Sequence, residues 1–296
     1  EHQKTILMKI EKIQNFAGTL AASAASLIKV ALMSKGVSPQ SSAGEGRSVV
    51  VMGNGPSLRK TIDEDGEWLC SHDLMAVNFA ANTPDFFKLR PRFYVMADGH
   101  FFSGNATDPN VARLWGELGK VSWKMSLWVP SKCRHLAKAL VIGNSNIELK
   151  TFNLTPVEGA GWLKRVLLDS GLGMPRPRNV MIPAIMVAMR EGYKKIYLCG
   201  ADHTWTQTLS VDDENFVVSV QPHFYKDNDD EHKRVRAAYA GLHLHDVLGS
   251  MSIAFRSYSE LADYARKRGV EIVNATPGSM IDAFPRRSVC GREPLR

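Results

Sequence analysis

Polar residues directly follow four short apolar runs of the sequence, an arrangement typical of small-molecule sites in α/β proteins. The segment 53–58 (GNGPSL) follows the first run, and Asn78 and Asp98 follow the next two. The fourth run ends in 200–203 (GADH). Asparagine offers a donor and an acceptor, aspartate offers charge, and histidine titrates near neutral pH, so these residue types suit ligand binding and proton transfer. The candidate residues are Gly53, Asn54, Gly55, Ser57, Asn78, Asp98, Gly200, Asp202 and His203.

The first of these segments is a glycine turn between a strand and a helix start. Gly53 and Gly55 allow the backbone to approach a ligand closely, and free N–H groups at such a turn favour a phosphate. The segment lacks the ending of a Walker A loop, and Leu58 stands where a GxGxxG motif has its third glycine. Asn54 is expected either to adopt a left-handed backbone or to offer its amide to a ligand.

Alternating strand and helix patterns position these residues. The run 48–52 is fully apolar and β-branched, as in a central strand that is buried on both faces. Further strands are expected over 74–79, 93–97, 126–129, 147–152, 195–199 and 270–274, and helices over 111–118, 161–170, 182–191 and 257–268. Such alternation predicts an α/β fold with a Rossmann-like, mainly parallel sheet and helices on both faces. The carboxyl ends of parallel strands meet at one edge, so the four polar segments are expected to form one site.

The N-terminal residues carry a different pattern. Apolar residues with alternating spacings of four and three predict a helix over 1–34. Three interpretations stay open for it: packing on its own domain, oligomerisation, or contact with a membrane surface through nearby lysines. Residues 35–47 have linker composition, the main domain is expected over 48–285, and a basic tail over 286–296. The apolar seam consists of Ile6, Ile10, Ile13, Ala17, Leu20, Ala24, Leu27 and Ala31.

Six of the seven net positive charges lie at the two ends of the chain. Residues 1–35 hold five Lys against two Glu, and residues 285–296 hold four Arg against one Glu. We therefore expect no nucleic-acid groove, and assign the basic ends to an anionic membrane surface or to assembly of a homo-oligomer. The four widely separated cysteines indicate a cytoplasmic protein with reduced thiols and no cysteine zinc site. No charge-free apolar stretch of about 18 residues occurs, so no transmembrane helix is predicted.

One acidic segment interrupts the alternation. Residues 210–232 are irregular and contain five consecutive acidic or amide residues, Asp227 to Glu231. A long irregular segment in a compact domain is usually functional, so a small lid is predicted over about 204–235.

Two segments resemble the bacterial lipo-oligosaccharide sialyltransferases. They are the GNGPSL turn with the following strand that ends in Asn78, and the helix and strand over 188–202 (AMREGYKKIYLCGAD). The second segment also resembles the related flagellin-glycosylation domain of the motility-associated-factor type. The resemblance covers residues 48–285 in islands. It implies a glycosyltransferase-A-like variant of the fold and transfer of a sialic-acid-like sugar from a CMP-activated donor to a glycan or glycolipid, without metal or cofactor.

The resemblance also implies donor-binding residues by position. Asn54 and Asn78 would contact the cytidine nucleotide, and Arg178 matches an arginine that holds donor and lid. Asp98 stands where the family has an asparagine, although a carboxylate repels a phosphate. His203 begins the segment that replaces the family's phosphate-binding tyrosines.

A histidine of the lid is the catalytic base that the resemblance implies. His232 follows the acidic run and His223 lies shortly before it, so both are candidates to take the acceptor hydroxyl's proton. Tyr225 is expected to assist the departing phosphate by a hydrogen bond. Thr276 and Ser279 follow the last strand in a stretch similar to the family's cytosine-contacting ending, and are predicted nucleotide contacts.

Two other functions stay open beside the transferase. An archaeal pterin diphosphokinase resembles the flagellin-glycosylation domain, and Asp98 and Asp202 would then hold its Mg²⁺. A non-catalytic scaffold is the other alternative, because the family's serine, tyrosines and asparagine are absent at matched positions. The sequence favours the transferase. We expect the protein in the cytoplasm or bound peripherally to the inner face of the cytoplasmic membrane.

Overall fold

Seven parallel strands form the central sheet. The structure is a computed structural model and describes residues 2–103, 107–219 and 241–289. Within them the strands are β1 (Ser48–Met52), β2 (Asp73–Val77), β3 (Phe93–Val95), β4 (Met125–Pro130), β5 (Ile147–Phe152), β6 (Lys195–Cys199), β7 (Leu209–Val211), β8 (Val217–Ser219) and β9 (Glu271–Asn274). The large sheet has the order β5-β4-β3-β2-β1-β6-β9, and β7 pairs with β8 as a separate antiparallel hairpin.

The sheet order reverses between β1 and β6. From β1 the chain builds outward through β2 to β5, and it then returns to add β6 and β9 on the other side. All six neighbouring pairs are parallel, so the carboxyl ends of the strands share one edge. The reversal opens a crevice at that edge, which is where open α/β sheets bind ligands.

Helices cover both faces of this sheet. Val49 and Val51 of β1 pack in one apolar core with the helices over 161–169, 181–190 and 244–267, while Val50 and Met52 pack in the other with those over 57–64, 109–119 and 134–141. Consecutive side chains of a strand point to opposite faces, so this buried strand is apolar at every position. The described helices are α1 (His2–Met33), α2 (Ser57–Glu64), α3 (Gly66–Cys70), α4 (Pro84–Leu89), α5 (His100–Ser103), α6 (Pro109–Gly119), α7 (Arg134–Val141), α8 (Gly161–Asp169), α9 (Met181–Arg190) and α10 (Leu244–Lys267).

The α/β prediction is therefore confirmed, and most element boundaries lie within two residues of it. The pattern missed the first half of α10, which begins 13 residues before the predicted start at Ser257. It also missed the β7–β8 hairpin at the start of the predicted lid. The turn of this hairpin is acidic and irregular in sequence, and Asn215 closes it in the left-handed region (φ 62°).

The N-terminal helix leaves its heptad seam exposed. The seam residues whose burial is described are Ala17, Leu20, Ala24, Leu27 and Ala31, and all are exposed. The segment Gln14–Met33 is long and apolar enough to cross a membrane, and 11% of it is buried. The segment qualifies by length and composition although it contains Lys29, which the charge-free criterion of the sequence excludes, and the absence of a transmembrane helix stays a prediction.

Both predicted flanks of the main domain are bonded to it where the structure describes them. In the segment 35–47, the Ser41 and Gly44 N–H groups donate to the carbonyls of Arg190 (3.0 Å) and Glu191 (2.8 Å). At the other end, Arg287 pairs with Glu271 (3.0 Å). Residues 290–296 lie outside the described residues.

Candidate ligand-binding site

Two adjoining cavities open at the carboxyl edge of the sheet. The first, of about 180 Å³, lies at the ends of β1, β2 and β6, and the second, of about 450 Å³, lies beside β3. They share Asn78, Asn179 and Val180. The sequence-predicted residues that line the first are Gly53, Asn54, Gly55, Asn78, Gly200, Asp202 and His203, and those that line the second are Asn78, Asp98 and Arg178. The structure thus brings together residues from four strand ends.

The glycine turn packs directly against the loop after β6. A Cβ atom at Gly53 would lie 2.4 Å from the Gly200 carbonyl oxygen, and one at Gly55 would lie 2.0 Å from an Asp202 carboxylate oxygen. The N–H groups of Gly53 and Gly55 donate to the carbonyls of Cys199 and Gly200, both at 2.8 Å. These donors are therefore used inside the protein. The glycines serve close packing, and the expected phosphate cradle of free N–H groups is not present at these two residues.

Asp202 is bonded to the start of α2. One carboxylate oxygen accepts the Ser57 N–H (3.2 Å), and the other accepts the Ser57 hydroxyl (2.8 Å). This caps a helix N-terminus, where a negative charge is favourable. Burial nevertheless raises the pKa of Asp202. Ser57 acts here through Asp202, because its hydroxyl is turned to the carboxylate.

Three amide atoms around the two cavities have no hydrogen-bond partner. They are the Oδ1 atoms of Asn54 and Asn78 and the Nδ2 atom of Asn179, all buried. Asn54 is held by its Nδ2, which donates to the Val77 carbonyl (3.3 Å). Asn78 has a left-handed backbone (φ 50°), and its carbonyl accepts a hydrogen bond from Tyr94. Unpartnered buried polar atoms are rare and costly, so three on adjoining cavities mark the place of a polar ligand.

A buried hydrogen-bond chain holds Asn179. Its Oδ1 accepts the Met181 N–H at the start of α9 (3.0 Å) and the Tyr258 hydroxyl (2.9 Å). The Tyr258 oxygen lies 2.6 Å from Nε2 of His203. Because the only Tyr258 proton goes to Asn179, His203 must donate from Nε2, which leaves Nδ1 without a proton. These hydrogen bonds occupy the Oδ1 atom of Asn179, leave its Nδ2 donor without a partner, and fix the tautomer of His203.

His203 is held as a neutral imidazole. Burial lowers its pKa from 6.5 to about 3. Its ring packs against that of Trp205, with centroids 4.2 Å apart and the planes tilted by 31°, and its backbone is left-handed (φ 54°). At neutral pH it therefore adds no charge to the first cavity.

The second cavity carries the charged groups. Arg176 is paired with Glu158 (2.9 Å), and one oxygen of Asp98 accepts the His100 N–H (2.9 Å). Arg178 is exposed and forms no ion pair with any residue that the structure describes. An unpaired guanidinium is a suitable binding group for a phosphate or carboxylate.

Two predicted nucleotide contacts lie behind the site. The Thr276 hydroxyl accepts the Ala201 N–H and donates to the Leu198 carbonyl, both at 3.1 Å. The Ser279 hydroxyl donates to the Ala201 carbonyl (2.7 Å). Both side chains are buried, so their hydroxyls brace the loop after β6 and do not line either cavity.

The lid candidates His223, Tyr225 and His232 lie outside the described residues, and their roles stay predictions. Sequence reasoning missed Asn179 and Tyr258. A polar residue before the apolar run of α9 is a capping signal for Asn179. No local signal exists for Tyr258, because it lies 79 residues from its partner Asn179. Among the described residues, no cluster of three His, Cys, Asp or Glu side chains suits a metal ion.

Comparison with known proteins gives a likeness to solved structures. No family model matches the chain, and no curated protein matches it. Among solved structures, the MAf glycosyltransferase from Magnetospirillum magneticum AMB-1 is similar, with 12% sequence identity and a TM-score of 0.47. The match covers 93% of this chain and 38% of that protein, so the chain spans well under half of its length.

Proposed function

We propose that the chain is a glycosyltransferase that binds a CMP-activated, sialic-acid-like sugar across the two cavities and transfers it to a hydroxyl of a glycan or glycolipid. The observation that carries this proposal is the set of three unpartnered amide atoms of Asn54, Asn78 and Asn179 at the reversal of the sheet. A metal takes no part in the proposed reaction.

The first cavity suits the uncharged part of a nucleotide. The Oδ1 atoms of Asn54 and Asn78 accept hydrogen bonds, as from a base amine or ribose hydroxyls, and Nδ2 of Asn179 donates to a carbonyl or phosphate oxygen. The two titratable residues of this cavity are not placed to bind a charged group. Asp202 accepts hydrogen bonds from Ser57, and His203 is neutral. The nucleoside is therefore proposed to lie here.

The second cavity suits the anionic part of the donor. A CMP-activated sugar acid carries a phosphate and a carboxylate, and Arg178 offers an unpaired guanidinium among the described residues. Arg176 lines the same cavity but already pairs with Glu158. Asp98 repels an anion, so we place the anionic groups on the Arg178 side.

The proposed reaction is a single inverting displacement. The acceptor hydroxyl oxygen bonds to the anomeric carbon while the bond from that carbon to the phosphate oxygen breaks, and CMP leaves with the electron pair. A lid histidine, His232 or His223, takes the hydroxyl proton, and Tyr225 hydrogen-bonds to the leaving phosphate. These three roles rest on the resemblance of the sequence.

The Mg²⁺-dependent alternative fits the described geometry less well. It would use Asp98 and Asp202 as metal ligands. Both Asp202 oxygens already accept hydrogen bonds from Ser57, so a cation would compete with the helix cap for this carboxylate. A diphosphokinase is therefore the second candidate.

Calorimetry and a product assay test the proposal together. We expect CMP and CMP-sialic acid to bind without added metal, and CMP to be released slowly even without acceptor. Arg178→Ala should weaken CMP-sialic acid binding by about tenfold or more, since a charge-assisted hydrogen bond is lost. Arg256→Ala, an exposed arginine of α10 that lines neither cavity, is the matched control.

Other outcomes identify the alternatives. ATP binding that requires Mg²⁺, without CMP binding, would establish the diphosphokinase class. CMP-sialic acid binding without any CMP release, with acceptor glycans present, would point to a non-catalytic scaffold. Equal affinity of the Arg178 and Arg256 variants would remove the proposed anion position.

A further inference from the structure

The N-terminal helix α1 presents its polar side to the protein and its apolar side to the outside. Ser23 (8% exposed) and Ser26 (0%) are the buried residues of α1 among those whose burial is described, and the half-buried Val30 packs against the core beside them. Helices on water-soluble proteins show the reverse arrangement, with the apolar stripe against the core. The inverted arrangement indicates that the outer face of α1 meets apolar surroundings.

The serine side of α1 is seated by specific hydrogen bonds. The Ser26 hydroxyl donates to the Glu158 carbonyl (3.0 Å) and accepts the Glu158 N–H (2.8 Å), and Ser23 accepts the Ala160 N–H (2.9 Å). Between them, a Cβ atom at Gly159 would lie 2.3 Å from the Ser23 hydroxyl oxygen. The contact continues at Ser34, whose hydroxyl oxygen lies 2.8 Å from that of Thr155 and donates to the Leu172 carbonyl. The second half of α1 therefore lies along the body and cannot at the same time cross a bilayer.

The outer side of α1 is a continuous apolar surface. No charged residue occurs between Lys12 and Lys29, on any face of the helix. The exposed large residues are Phe16 (71%), Leu20 (62%), Leu27 (49%), Ile28 (60%) and Leu32 (79%). A patch of this kind marks a protein or membrane contact.

The chemistry of this surface favours lipid over a second helix. In a water-soluble coiled coil, the positions away from the seam face water and carry charges, but this segment has none. Lys12, Lys29 and Lys35 flank the apolar segment, which suits anionic headgroups. Trp162, 72% exposed, lies two residues beyond the Ala160 contact, and tryptophan is enriched at membrane interfaces.

We infer that α1 docks the protein on an anionic membrane surface, lying in the plane of the interface with Leu20, Ile28 and Leu32 among the headgroups and upper acyl chains. This inference stands on α1 and does not depend on the proposed transfer reaction. If both hold, the second cavity lies near the lipid surface. The backbone carbonyl of Glu158 accepts a hydrogen bond from Ser26 of α1, and the Glu158 carboxylate forms an ion pair with Arg176 of that cavity. A lipid-linked acceptor would then reach the site from the membrane.

Vesicle sedimentation tests the inference on the full chain. We expect binding to phosphatidylcholine vesicles that contain phosphatidylglycerol, weaker binding to phosphatidylcholine alone, and partial release by salt. The double variant Leu20→Glu, Ile28→Glu should bind at least about tenfold less, since two apolar side chains leave the interface. The control is Ile142→Glu, which changes an isoleucine directly after α7 that is even more exposed (79%) than Ile28.

Each remaining outcome overturns the inference. Wild-type protein that stays in solution with anionic vesicles contradicts it, as does equal loss of binding in the control. Self-association in lipid-free buffer that the double variant abolishes would assign the face to a second copy of the chain. Binding that resists alkaline carbonate would show that α1 crosses the bilayer. CMP binding by the double variant, measured separately, is expected to be unchanged, so failure of either proposal is seen on its own.

Discussion

Acidification should destabilise the fold through His203. Burial holds this imidazole neutral, with its pKa lowered from 6.5 to about 3. Its ring neighbours are Trp205, Phe255 and Tyr258, and no carboxylate forms a hydrogen bond or ion pair with it among the described residues. The unfolded chain therefore takes up a proton as the pH falls through 6.5, whereas the folded chain does not.

The magnitude follows from this difference in pKa. Above the unfolded pKa both states are neutral, and His203 contributes no pH dependence. Between about pH 7 and about pH 5 only the unfolded state is protonated, which lowers the free energy of unfolding by about 2 kcal/mol. The loss would grow further down to the folded pKa of about 3.

The substitution His203→Asn isolates this effect. Asparagine tolerates the left-handed backbone at this position (φ 54°) and does not titrate. Urea unfolding followed by tryptophan fluorescence at about pH 7 and about pH 5 gives the loss of stability for each protein. The variant should lose about 2 kcal/mol less than the wild type, whatever its stability at neutral pH. His135→Asn, which changes an exposed histidine, should behave as the wild type. An equal loss in wild type and His203→Asn would refute the reasoning.

Three further substitutions test the packing of the site and of α1. Gly55→Ala places a Cβ atom 2.0 Å from an Asp202 oxygen and should abolish nucleotide binding by calorimetry, whereas Gly99→Ala, with open space around its Cβ, should not. Ser57→Ala removes a hydrogen bond to the buried Asp202 carboxylate, and we expect a loss of about 1–3 kcal/mol in urea unfolding. Gly159→Ala places a Cβ atom 2.3 Å from the Ser23 hydroxyl oxygen and adds a side chain at φ 99°, so α1 no longer packs closely against the main domain. Faster proteolysis of the N-terminal helix is expected, with nucleotide binding retained.

The fold was predictable because its signals are local. The apolar run of β1 has no polar position, since both of its faces are buried, and this pattern is legible without any partner strand. The first half of α10 was not predicted, because it packs along only part of its length and carries a weaker apolar pattern there. Val247, Met251 and Ala254 are its buried residues before Ser257.

The candidate site was predictable only in outline. Parallel strands place their carboxyl ends at one edge, so Asn54, Asn78 and His203 were expected to lie near each other. What each residue does there depends on partners that are distant in the chain. Thr276, predicted to contact a ligand, instead supports the loop after β6 from 75 residues away.

The sequence by itself determined the α/β class, the strand ends that carry the site, and the existence of a long apolar N-terminal helix. These depend on periodicity and on residue types next to each other. Only the tertiary structure decided that Tyr258 holds Asn179 and His203, that the glycine turn uses its N–H groups internally, and that α1 turns its serines inward. Each of these is a contact between segments far apart in sequence, and neither spacing nor composition records which atoms meet after folding.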